Sequence, residues 1–144
     1  MKKTIFYIFT LVILSFSFTS AISGGGGGVK FNSDKWGDVT KEARKKDMPI
    51  FAMVCAPYCS NCAKMKASVF PDKELGEYLN QNFVSTMLNS EENMHNMRIT
   101  NWGVKTVPTM VFLDKNKKVV HMVAGFKNKE QVMKEAQIAL SKMK

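Results

Sequence analysis

Residues 50–55 read I-F-A-M-V-C, six apolar positions in a row, and they run straight into A-P-Y-C-S-N-C. Pro49 stops any helix arriving from the N-terminal side, and the run has the length of a strand rather than a helix. The pattern therefore predicts a central strand covered on both faces. From Cys59 the spacing changes: Cys62, Met65, Lys66, Val69 and Phe70 fall three and four apart, which predicts a helix, and Pro71 breaks or kinks it.

The remaining elements follow from the same signals. Ser33 or Asp34 is placed to cap a helix through Trp36, Val39 and Ala43 to about Lys46. The lysines gather at its C-terminal end, where the helix dipole favours them. Asp72 reads as the cap of a helical piece through Leu75, Tyr78 and Leu79. Residues 83–89 read as a strand, residues 91–101 as polar helix or loop, and residues 107–113 as another apolar strand. The turn at Asp114-Lys115-Asn116-Lys117 joins that strand to residues 118–124 as a hairpin. Asn128 caps a last helix with Val132, Met133, Ala136, Ile138, Ala139 and Leu140 on or near one face. A β-α-β crossover followed by a hairpin and a helix implies an α/β sandwich, with a central mixed sheet flanked by helices.

The N-terminus sets the redox compartment. Lys2 and Lys3 precede an uncharged stretch, residues 4–22, whose most apolar part is residues 5–14, and Ala21-Ile22-Ser23 offers a cleavage site. Residues 1–23 read as a secretory signal, with an uncleaved membrane anchor as the rival, so an N-terminal membrane tether stays open. Residues 24–28 are all glycine and read as a linker, which leaves residues 29–144 as one folded domain. The protein is expected to be exported, to a bacterial periplasm. The formal net charge of +9 includes the two signal lysines. The other basic residues are spread along the sequence and read as a solvated surface; an exported chain meets little nucleic acid, so none is expected as a partner.

Cys55, Cys59 and Cys62 are the only cysteines in the sequence. As C-x3-C-x2-C they could hold an iron–sulfur cluster, but a radical enzyme of that kind needs a larger domain and a reducing cytosol. As half a zinc site, C-x2-C lacks a second pair, because His95 and His121 stand alone and far away. As a redox dithiol the pair fits its place. A cysteine at the first turn of a helix gains from the unpaired N–H groups and the dipole, which stabilise a thiolate. Cys59 then reads as the exposed attacking thiolate and Cys62, one turn inward, as the shielded resolving thiol.

A-P-Y-C-S-N-C-A-K-M, followed some forty residues later by Trp102-Gly103-Val104-Lys105-Thr106-Val107-Pro108-Thr109 and then by Gly125, resembles the thioredoxin superfamily. The Trp36 helix, Lys46-Asp47-Met48-Pro49, and Phe83-Val84 followed by Asn89-Ser90-Glu91-Glu92 are similar to its exported, thioredoxin-like disulfide reductase branch. The resemblance implies a thioredoxin-like fold and dithiol–disulfide exchange through Cys59 and Cys62, with no organic cofactor and no metal. It implies a cis Val107–Pro108 bond beside the dithiol, with Val107, Pro108 and Tyr58 contacting substrate. The implied partners are disulfide-containing proteins and a redox partner that resets the dithiol.

The sequence departs from the family pattern in three places. Met53 stands where thioredoxins proper carry a buried acid, Ser60-Asn61 replaces the familiar Gly-Pro, and Cys55 takes a position that is usually aromatic. Cys55 is expected to pack as a small buried hydrophobe, the sharper idea being that it exchanges disulfides with Cys59. The alternative function is a thioredoxin-fold copper carrier using Cys55 and Cys59 with a distant His or Met. Met94-His95-x-Met97 would supply soft donors for Cu(I).

Overall fold

The structure is a computed structural model that describes residues 27–143. The expected signal and most of the glycine linker lie outside the described residues. The element order is α1 (Trp36–Lys46), β1 (Ile50–Cys55), α2 (Ser60–Ser68), α3 (Lys73–Asn82), β2 (Val84–Asn89), α4 (Asn93–Asn101), β3 (Thr109–Leu113), β4 (Val119–Ala124) and α5 (Lys129–Ser141).

The strands form one mixed sheet in the order β2-β1-β3-β4. β1 runs parallel to β2 and antiparallel to β3, and β3 pairs antiparallel with β4. All six β1 residues are buried, as a central strand covered on both faces requires. Period-two alternation then divides its side chains between two cores. Phe51, Met53 and Cys55 join α2, α3 and α5 on one face. Ile50, Ala52 and Val54 join α1 and α4 on the other. This is the thioredoxin-like α/β sandwich.

Several boundaries differ from the expectations, each for a local reason. The α1 N-cap is Lys35, with no side-chain cap bond. Ser33 is otherwise engaged: its hydroxyl accepts from the Lys35 N–H and donates to the Asp38 carboxylate. Phe83 belongs to the end of α3, where its N–H donates to the Leu79 carbonyl, so β2 starts one residue later. Residues 91–101 resolve as a turn and the helix α4. Val107 and Pro108 fall outside β3, since proline has no N–H to give a ladder.

Gly28 is part of the fold rather than the linker. Its backbone sits against Phe70 and Pro71 with φ +117°, a conformation glycine adopts freely. A Cβ on Gly76 would collide with that backbone, so two glycines let the incoming chain lie against α3. Asp72 and Asn128 cap their helices as expected, Asn128 through a reciprocal capping box with Gln131.

Candidate active site

The site begins where β1 ends. The buried strand delivers Cys55 and Ala56, a turn at Pro57-Tyr58 reverses the chain, and Cys59 becomes the N-cap of α2. A helix N-terminus has four backbone N–H groups without intrahelical partners. One of them is used by the site itself: the Cys62 N–H donates to Cys59 Sγ at 3.1 Å. No acidic residue stands in the first turn of α2 to oppose negative charge there.

Cys59 and Cys62 are joined by a disulfide with a Cα–Cα separation of 5.2 Å. Cys59 keeps 9% of its surface and Cys62 1%. The expected exposed thiol is therefore largely covered in the bridged state, because Cys55, Ala56 and Met65 pack into the same cluster. It is still the more accessible residue of the pair. On reduction, the N–H already aimed at Cys59 Sγ and the dipole of α2 would stabilise a thiolate at that atom. Dithiol–disulfide exchange is the chemistry this arrangement can perform.

The other predicted residues divide into near and far. Val107 is half-buried and packs against both cores, including the cluster that holds the dithiol. The Val107–Pro108 bond is cis, Pro108 is buried, and its carbonyl accepts from the Gly125 N–H. Tyr58, immediately before Cys59, is 74% exposed. Met53 is fully buried, so a thioether occupies the place of the acid found in thioredoxins proper.

Cys55 is a free, buried thiol whose carbonyl accepts from the Ser90 N–H. Burial raises its pKa above the ordinary thiol value, and the Lys66 ammonium offsets part of that rise. A raised pKa makes it a poor nucleophile at neutral pH, consistent with packing rather than exchange.

The copper-carrier donors do not converge. His95 is 1% exposed, with Nε2 3.1 Å from Glu92 Oε2, whereas Met94 and Met97 point outward at 66% and 75% exposure. His121 lies on β4, held by Glu135 at 2.6 Å. Among the described residues no group of three His, Cys, Asp or Glu side chains could hold a metal ion.

Sequence reading missed two neighbours of the site. The Lys66 charge acts on the Cys55 thiol, and Lys64 lies over the Phe126 ring at 4.8 Å, tying α2 to the loop after Gly125. Helical spacing puts these lysines on α2, but only the fold shows what they meet.

A family model described as a thioredoxin-like domain matches residues 36–137, from the start of α1 into α5. The chain belongs to the thioredoxin-like domain family. Other thioredoxin-like structures superpose over most of it. A candidate disulphide isomerase from Bacteroides thetaiotaomicron aligns with TM-score 0.71 and 22% identity, over 81% of this chain and 96% of that one. A thioredoxin from Thermus thermophilus gives 0.70 at 17% identity, over 80% and 89%. The oxidised DsbD C-terminal domain of Neisseria meningitidis gives 0.64 at 13% identity, over 77% and 98%. At these identities the likeness is one of fold. Spermatogenesis-associated protein 20 of Rattus norvegicus is 40% identical over 58 residues, 40% of this chain but 7% of the rat protein.

Proposed function

We propose that the protein is an exported thiol–disulfide oxidoreductase that reduces disulfides in protein substrates. The observation that carries this reading is the Cys59–Cys62 bridge at the start of α2, with the Cys62 N–H on Cys59 Sγ. In the reduced enzyme the Cys59 thiolate attacks one sulfur of a substrate disulfide. A Cys59–substrate bond forms, and the other substrate sulfur leaves as a thiolate that takes up a proton. Deprotonated Cys62 then attacks Cys59 Sγ, expels the second substrate sulfur and closes the bridge. Two electrons pass to the substrate, and a partner dithiol returns them by the reverse sequence.

Tyr58 and the Val107–Pro108 segment are the proposed substrate contacts, the backbone of Val107 pairing with an extended substrate strand. Met53 offers no carboxylate to take the Cys62 proton, so that proton passes to water or another group. The reductive direction and the periplasmic address follow the exported branch that the sequence resembles. Dsb-type proteins among the structural neighbours support that address.

Equilibration with glutathione buffers, followed by mapping of the Cys59–Cys62 redox state, tests the direction. A reductant should give a potential near that of thioredoxin, about −270 mV, whereas a value near about −120 mV would make the protein an oxidant.

A further inference from the structure

Two basic segments far apart in the sequence meet at one end of the fold. The last turn of α1 contributes Arg44, Lys45 and Lys46. The β3–β4 turn contributes Lys115, Lys117 and Lys118, and all six side chains are exposed. A bond of 2.6 Å from Lys115 Nζ to Asp47 Oδ2 holds the segments side by side across 68 positions of sequence.

The acids at this end are already engaged. Asp47 takes Lys115, Glu42 takes Lys46 at 2.8 Å, and the Asp114 carboxylate accepts from the N–H groups of Asn116 and Lys118 within the turn. Among the described residues Arg44, Lys45, Lys117 and Lys118 form no salt bridge. The surface that reads as evenly solvated in sequence is therefore a basic pole in the fold.

Strand register places this pole opposite the dithiol. Ile50 stands across from Leu113 and beside Val84 at the basic end, whereas Cys55 stands beside Asn89 at the other. β1 separates the ends by about 17 Å, five steps of about 3.3 Å each.

We propose that this pole seats the domain on an anionic phospholipid surface, with the dithiol turned away from it. Charge complementarity selects the partner: exposed basic groups without acidic partners gather counter-charge from a lipid headgroup plane. Each basic residue held near such a surface raises partitioning on the order of fivefold. Screening over about 8 Å at physiological salt confines the attraction to this end, so the dithiol about two Debye lengths away stays open to soluble partners.

Amine footprinting of the full chain tests the proposal. The protein is mixed with vesicles of pure phosphatidylcholine or of phosphatidylcholine with phosphatidylglycerol, pulse-labelled on lysine, and read by peptide mass spectrometry. Both vesicle types retain the chain if its N-terminal segment inserts, so their difference isolates headgroup charge. Anionic vesicles should slow labelling of Lys45, Lys46, Lys117 and Lys118 about fivefold or more, leave Lys64, Lys105 and Lys127 unchanged, and lose the effect at high salt. Equal protection by both vesicle types, protection of the dithiol end, or protection by polyglutamate or DNA but not by anionic vesicles would overturn it. Reduction of bis(2-hydroxyethyl) disulfide by the same sample reports separately on the dithiol chemistry.

Discussion

On one face of β1 stand Phe51, Met53 and Cys55; on the other stand Ile50, Ala52 and Val54. The first face is aromatic and thiol-rich: Phe51 stacks on Phe112, Phe112 meets Phe83 edge-on, and the cluster extends without a break to Cys59 and Cys62. The second is aliphatic and closes at its margin with the Trp36–Trp102 edge contact, their centroids 5.2 Å apart. One strand therefore supports two cores, and only one of them holds the dithiol. Damage to the first should change both stability and thiol reactivity, while damage to the second should change stability alone.

The largest break is at the dithiol itself. Cys59→Ser should lower turnover of bis(2-hydroxyethyl) disulfide by at least about a thousandfold, because the attacking group is gone. Its urea midpoint should match that of the reduced wild type.

Next comes a paired test of the two faces. Phe112→Ala should cost about 3–5 kcal/mol and Leu88→Ala about 2–5 kcal/mol in denaturant unfolding, since each leaves a cavity in a fully buried cluster. Under native conditions Phe112→Ala should also speed alkylation of Cys62 in the reduced protein. Leu88→Ala should not, and equal effects on Cys62 would remove the distinction between the faces.

A smaller effect is expected at α5, which closes the first face from outside. Asn128→Ala removes the side-chain acceptor for the Gln131 N–H, one half of the capping box, and should cost about 1 kcal/mol, with Cys59 reactivity unchanged.

The smallest concerns Cys55. Burial raises its folded-state pKa, so the unfolded chain ionises first as pH rises. The favourable contribution is complete below the ordinary thiol pKa and is lost as pH climbs through the raised value. Cys55→Ala should therefore flatten the alkaline fall in stability while leaving the neutral-pH rate with small disulfides unchanged. A changed rate would give Cys55 a part in the exchange.

The sequence made the first face legible because its signals are local. An unbroken apolar run, a proline before it and a three-four spacing after it are enough to place Cys59 at a helix start. Asp72 and Asn128 likewise announce caps through bonds to residues three positions on. What stayed hidden depends on residues distant in sequence. Gly28 reads as linker because nothing nearby says that Gly76 leaves room for it. Lys115 reads as a turn lysine because Asp47 lies far upstream. Ser33 reads as a cap, and only Lys35 and Asp38 together divert its hydroxyl. The soft donors around His95 look like a ligand set until the turn of α4 sends the imidazole inward and the thioethers outward.

The central claim is that Cys59 attacks and Cys62 resolves, and a trapping measurement reaches it most directly. The Cys62→Ser variant, expressed with its own N-terminal segment and quenched with acid, should accumulate mixed disulfides that map to Cys59 and disappear with dithiothreitol. Mixed disulfides mapping to Cys55, or none above the level of a Cys59→Ser control, would contradict the account.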